Sequence, residues 1–152
     1  MPDQGIDSQK SLQLSIVAIR VGNRWFGVPA EAIREVLLKG PITRVPFTPS
    51  HVMGLCMVHG RVVPVIALHQ LLDLDASGPT ALMLPRLVVL EAEGDEIAFP
   101  CEEAAGVFAV LPPENINSGI TLGMSHWEDR ELTIVNVPEL ISTALAHTKA
   151  QT

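Results

Sequence analysis

The chain has 152 residues, 47% apolar and 18% charged, enough for one domain with a substantial core. Ten basic residues against 17 acidic ones leave a net charge of −7. That balance excludes electrostatic capture of nucleic acid or anionic lipid, and the basic residues form no run to offset it. Residues 1–10 lack the apolar stretch of a signal peptide, and no segment approaches the roughly 20 apolar residues of a membrane span. The expected location is the cytoplasm, with no membrane insertion.

Along the chain the elements read mostly as short strands. Residues 12–20 are aliphatic and β-branched; Gly22-Asn23 reads as a hairpin turn, and 24–28, with Trp25 and Phe26, as the return strand. Pro29 suits a first helical position, and Ala32, Ile33 and Val36 share a helical face, so 29–36 reads as a short helix. Pro41, Pro46 and Pro49 punctuate a loop with an extended piece at 42–45. Residues 51–58 and 61–66 form a strand pair around His59-Gly60, followed by a short helix over 68–74. Ser77, Gly78, Pro79 and Pro85 mark a boundary loop near 75–85. Beyond it come a hairpin, 86–91 and 96–99 around a Gly94-Asp95 turn, a strand at 104–111, a loop at 112–118, a strand at 132–137 and a terminal helix over 138–146.

The second half repeats the first. Val63, Val65, Ile66, Leu68, Leu71 and Leu72 fall on Leu132, Ile134, Val135, Val137, Leu140 and Ile141 with a shift of 69. Pro29, Glu31 and Val36 fall on Pro100, Glu102 and Val107 with a shift of 71. Two repeats are too few for a solenoid. They imply an all-β fold with short helices, built as two similar small subdomains sharing a core. Segment 12–147 is expected to be a single domain of two interleaved subdomains, between a flexible segment 1–11 and a tail 148–152.

Chemistry-bearing residues are sparse. Cys56 and Cys101 sit in apolar, strand-like contexts and read as reduced, buried hydrophobes. Five histidines show no metal-ligand spacing: there is no C-x-x-C, H-x-H or H-E-x-x-H. No metal or cofactor is expected. A cysteine-dependent enzyme would need a thiolate beside a base, and neither cysteine has such a neighbour in sequence. Glu102-Glu103 reads as a solvated acidic surface rather than an acid/base pair. Trp127, in a predicted turn, is either an exposed interface anchor or packing beneath that turn.

Residues 52–68, VMGLCMVHGRVVPVIAL, resemble the pattern of CheW-like domains: a glycine, a hydrophobic strand, an R-G turn, and a hydrophobic strand with proline ending in D-L. The resemblance extends to 24–29 (RWFGVP), 33–36 (IREV), 42–46 (ITRVP) and 87–107, covering roughly 12–145. It implies two SH3-like five-stranded β-barrel subdomains packed together. It also implies a non-enzymatic adaptor that couples the cytoplasmic hairpin tip of a chemoreceptor to the regulatory domain of a CheA-like histidine kinase. By resemblance, Ile33, Glu35, Val36, Leu55 and His59 face the receptor, and Thr43, Arg44 and Val45 face the kinase.

Three positions depart from the pattern. His59 replaces the arginine of R-G, Ala67 the aspartate of D-L, and Glu102 an aspartate. Glu35 and His59 are expected to be neighbours, and histidine, with a reference pKa of about 6.5, would make their pairing pH-dependent. The departures also suit a divergent adaptor serving another pathway, such as pilus-driven motility.

Overall fold

A computed structural model describes residues 13–72, 83–113 and 119–150, with side chains described as far as 146. The expected flexible segment 1–11 and most of the expected boundary loop lie outside the described residues. The first half supplies β1 (Leu14–Val21), β2 (Arg24–Pro29), a 3-10 turn at Ala30–Ala32, β3 (Ile33–Leu38), β4 (Val52–Val58), β5 (Arg61–Ile66) and α1 (Leu68–Leu71). The second supplies β6 (Arg86–Ala92), β7 (Asp95–Cys101), β8 (Glu103–Val110), β9 (Thr121–Trp127), β10 (Arg130–Val135) and α2 (Val137–Ala150).

The helix expected over 29–36 is not there. Three residues turn, and the rest is β3, antiparallel to β6. The cause of the misreading is a β-bulge at Arg34. Ile33 stands opposite Leu90 and Val36 opposite Val88, so residues three apart point to the same side. A bulge in a strand thus imitates the helical period. The hairpin turn expected at Gly94-Asp95 lies one residue earlier. Ala92 pairs with Asp95, and the two-residue loop is Glu93-Gly94, with φ of 54° and 85°. His59-Gly60 has the same two positive angles, 48° and 81°. Both match the tight hairpin turn whose twist suits the flanking strands.

Two five-stranded sheets result, ordered β8-β1-β2-β10-β9 and β3-β6-β7-β5-β4. Each takes its hairpin, β1-β2 or β6-β7, from one half of the chain and its other three strands from the other half. Parallel pairing of β10 with β2 and of β5 with β7, and antiparallel pairing of β8 with β1 and of β3 with β6, make the joins. The shift of 69 is visible in single hydrogen bonds. Ala67 N donates to His51 O at 2.7 Å, and Asn136 N donates to Ile120 O at 2.7 Å. These residues precede the two helices. Asn136 also accepts from Glu139 N through its side chain at 3.3 Å, as an N-cap does, whereas Ala67 offers α1 no side-chain cap. A missing cap, worth about 1 kcal/mol, suits a helix of four residues beside one of 14.

Alternation along the strands creates three apolar layers. Val88, Leu90, Ile97, Phe99 and Val28 pack between the sheets. Leu87, Val89, Ala98, Val63 and Cys56 fill the second sheet's interior, and Ile16, Ala18, Leu132 and Ile134 that of the first. The second sheet is drawn round by the chain after β3. Thr43 N donates to Leu55 O and Leu55 N to Thr43 O, both at 2.8 Å. Next to Leu55 is Gly54, with φ of 151°. A Cβ there would lie 2.3 Å from Thr43 O, closer than any carbon can approach. Gly54 is required for both its backbone angle and this contact.

Gly54→Ala is expected to destabilise the fold by about 3 kcal/mol. Gly60→Ala also needs a positive φ but meets open space, so its expected loss is about 1 kcal/mol. Urea denaturation of both variants checks the ranking; equal losses would mean that the Thr43 contact is not a constraint.

Candidate protein-interaction site

The face that fills the second sheet's interior continues to its mouth, where it becomes charged. On β6, Glu91 follows Val89; on β7, Glu96 precedes Ala98; on β5, Arg61 precedes Val63; on β3, Glu35 precedes Leu37. Each is two residues from a side chain of that interior, so four strands deliver ionic groups to one end. Arg61 forks to Glu96, Nε to Oε1 at 2.9 Å and Nη2 to Oε2 at 3.1 Å. The bulged Arg34 reaches Glu96 through Nε at 3.2 Å and Glu91 through Nη1. His59 Nε2 lies 2.9 Å from Glu35 Oε2. The hydrogen bond that Arg61 donates to Glu96 is the first cause holding its guanidinium above the ordinary range. Its own desolvation opposes that, and the charges of Glu96, Glu35 and Glu91 add to it.

The first sheet closes the equivalent mouth differently. Arg130, 69 positions after Arg61, lies 4.7 Å from the Trp25 ring centre and 5.5 Å from that of Trp127. Trp25 and Trp127 meet edge-on at 5.3 Å, and Phe108 stacks at a tilt on Trp127 at 4.5 Å. One arginine position is held by carboxylates in one barrel and by cation–π contact in the other. Trp127 therefore packs beneath its turn rather than standing free.

The residues expected to face a receptor fall in three places. Glu35 and His59 meet at the charged mouth, as expected. Ile33 packs against the layer between the sheets, and Val36, on the same side at the edge, is 37% exposed. Leu55 lies on the outer face of β4, opposite Pro64 and two rungs from the Met57–Val62 pair. Thr43, Arg44 and Val45 lie in the loop before β4, and the Thr43–Leu55 bridge joins the two expected groups. Arg34, Arg61, Glu91 and Glu96 were not anticipated, although the two-residue step from Val63, Val89 and Ala98 is readable in the sequence. Nor were the exposed Val62 (60%) or Phe47.

The remaining polar groups are structural. Arg20 on β1 pairs with both Glu102 and Glu103, through Nε to Glu103 Oε1 at 3.0 Å and through Nη1 to Glu102. His51 Nε2 lies 3.1 Å from Ala144 O of α2. Ala67 is buried at the start of α1, so its departure from the family pattern removes a cap rather than a surface charge. Cys56 and Cys101 are free thiols, both buried. Burial raises both above their ordinary value; for Cys101 it wins over the opposing charge of Arg86 and, with Glu102 and Glu103, pushes the thiol up to about 12. Neither is an activated nucleophile. Among the described residues no group of His, Cys, Asp and Glu could hold a metal ion.

The model of the CheW-like domain family matches residues 15–145. Protein FrzA of Myxococcus xanthus is 38% identical over 72 residues, 47% of this chain and 45% of that protein. The chemotaxis protein CheW of Rhizobium meliloti (strain 1021) is 34% identical over 65 residues, 43% of this chain and 42% of that protein. The chain thus spans less than half the length of these relatives. The chemotaxis protein CheW of Helicobacter pylori is 25% identical over 143 residues, 89% of this chain and 84% of that protein. Among solved structures, the scaffolding protein TtCheW from Thermoanaerobacter tengcongensis superposes with a TM-score of 0.69 at 20% identity. That match covers 82% of this chain and 89% of that one, and it shows a shared fold.

Two outcomes follow from the site's chemistry. Cys101 keeps its proton in the folded state up to about pH 12, whereas an unfolded thiol loses it near 9.0. Its contribution to stability is present below pH 9 and is lost as pH rises from there toward 12. Urea melts at pH 8 and 10.5 should show a smaller alkaline loss for Cys101→Ala than for wild type; equal losses would contradict the assignment. The Glu35–His59 pair is ionic only while the imidazole is protonated. A double-mutant cycle with Glu35→Gln and His59→Ala should give a coupling of about 0.5 kcal/mol; strictly additive losses would remove the contact from the site.

Proposed function

The chain belongs to the CheW-like domain family, and we propose that it acts in the cytoplasm as a non-enzymatic adaptor coupling a chemoreceptor to a CheA-type histidine kinase in chemotaxis signalling. The observation that carries this reading is the second barrel's surface. Val36, Met57 and Val62 stand in solvent on a barrel whose mouth is held by the Arg61–Glu96 fork. Apolar side chains on a rigid support serve binding and give no means of bond making. The receptor's hairpin tip is assigned to Ile33, Glu35, Val36, Leu55 and His59, and the kinase's regulatory domain to Thr43, Arg44 and Val45. The Thr43–Leu55 bridge puts the two assignments on one rigid unit. No cofactor enters the reading.

A second reading is favoured by His59. A neutral imidazole cannot replace the permanent charge and fork of arginine. A divergent adaptor, working with the receptor and kinase of a pilus-driven or other two-component pathway, suits that change.

Mixed with a chemoreceptor hairpin fragment or with a CheA-type regulatory domain, the chain should elute earlier in size-exclusion chromatography. Val36→Asp should weaken the receptor complex about tenfold or more and leave the kinase complex intact. Absence of both complexes with wild type would overturn the adaptor reading; loss of both with Val36→Asp would overturn the division of surfaces.

A further inference from the structure

β3 is an edge strand, and its bulge crowds two opposite charges into one place. Ile33 stands opposite Leu90 and Glu35 opposite Val89, so the extra residue, Arg34, shares the position of Glu35. Unlike charges so placed attract each other, yet these two do not pair. Arg34 is drawn to Glu96 and Glu91, and Glu35 pairs with His59. Arg61 is a second candidate for Glu35, whose charge acts on its guanidinium, but it forks to Glu96 instead. Among the described residues Glu35 makes no ion pair with either arginine.

Glu96 is what draws the arginines off. It is the most buried charged side chain of the mouth, 16% exposed against 29% for Glu35 and 38% for Glu91. A carboxylate at that depth holds cations more strongly than one in solvent, because water and salt screen it less. Glu96 also stands directly opposite Glu91 across β7 and β6. Like charges in that arrangement destabilise a sheet unless a cation lies across them. Arg34 bridges both carboxylates.

The two arginines and these two glutamates cancel in charge. Glu35 is left over, faced by His59, which lacks the permanent charge of the arginine in the family pattern. A carboxylate has about four acceptor sites, and the His59 contact uses one. Glu35 therefore keeps acceptor capacity at the edge assigned to the receptor, provided that neither guanidinium reaches it.

We propose that Glu96 is a positioning residue for Glu35. By holding Arg34 and Arg61, it keeps both guanidiniums off the Glu35 carboxylate and leaves that carboxylate open to the receptor. Glu96 itself need not touch the receptor for this effect. The proposal rests on the adaptor reading and on the assignment of Glu35 to the receptor.

Calorimetric titration of the full chain with a chemoreceptor hairpin fragment tests it, with a CheA-type regulatory domain as the parallel titrant. Glu96→Gln frees both arginines for Glu35, and receptor affinity should fall about tenfold. Adding Arg34→Gln and Arg61→Gln removes the freed cations, so the triple variant should recover to within about threefold of wild type. A network that only stiffens the barrel would instead lose further affinity in the triple variant. Kinase affinity should stay within about twofold of wild type throughout. Should Glu96→Gln fail to fold, Glu91→Gln, which loosens Arg34 alone, and its rescue by Arg34→Gln carry the same readings. Unchanged receptor affinity in Glu96→Gln, no recovery in the triple variant, or equal loss of both complexes would each overturn the positioning role and leave the adaptor reading standing. If wild type does not bind the receptor fragment, the proposal falls; if it binds neither titrant, the adaptor reading falls with it.

Discussion

The apolar layer between the two sheets is the constraint on which the rest of the molecule depends. Among the described residues it holds 18 buried side chains, against 7 and 5 inside the two barrels. Neither barrel interior is large enough to hold a sheet of five strands by itself. The charged residues Glu91 and Glu96 stand on strands whose opposite faces are committed to that layer, while Met57 and Val62 stand on the faces opposite Cys56, Val58 and Val63 of the second barrel's interior. An aliphatic face such as Val88 and Leu90 tolerates no polar residue, while one step along the same strand Glu91 is at home.

Much of this was legible in the sequence, because strand alternation and tight turns are local. Gly22-Asn23 and His59-Gly60 marked two hairpins, and the shift of 69 carried β5 and α1 onto β10 and the start of α2, although no strand was expected where β9 lies. The misreading at 29–36 shows the limit. The bulge at Arg34 changes the spacing of Ile33 and Val36 to three, and only pairing with β6 reveals that the segment is extended. The Glu93-Gly94 turn was displaced by one for a similar reason, since Ala92 and Asp95 are fixed by strand register and not by their own preferences.

The site was legible in part. Glu35 and His59 could be matched because the family pattern aligns them. Arg61 and Glu96 lie 35 positions apart and come together through the parallel join of β5 and β7, which local sequence does not announce. Phe47 was hidden for a different reason: its exposure has no sequence pattern. The two arginines at Arg61 and Arg130 show how a repeat diverges: the position is kept, while the partners have become carboxylates in one barrel and aromatic rings in the other.

The exchange of strands between the halves sets the topology of assembly. A hairpin from one half is completed by three strands from the other, twice over, so neither half contains a finished sheet. Residues distant in sequence must find each other before any layer closes, which makes the search for the native state slow compared with that of a chain folding from neighbouring segments. A single half, released on its own, would carry two hairpins and a lone strand with nothing to join them. Its one route to a closed structure with the same pairings is to trade those pieces with a second identical half. The intact chain holds both halves of that trade in one polypeptide, and so completes it independently of concentration.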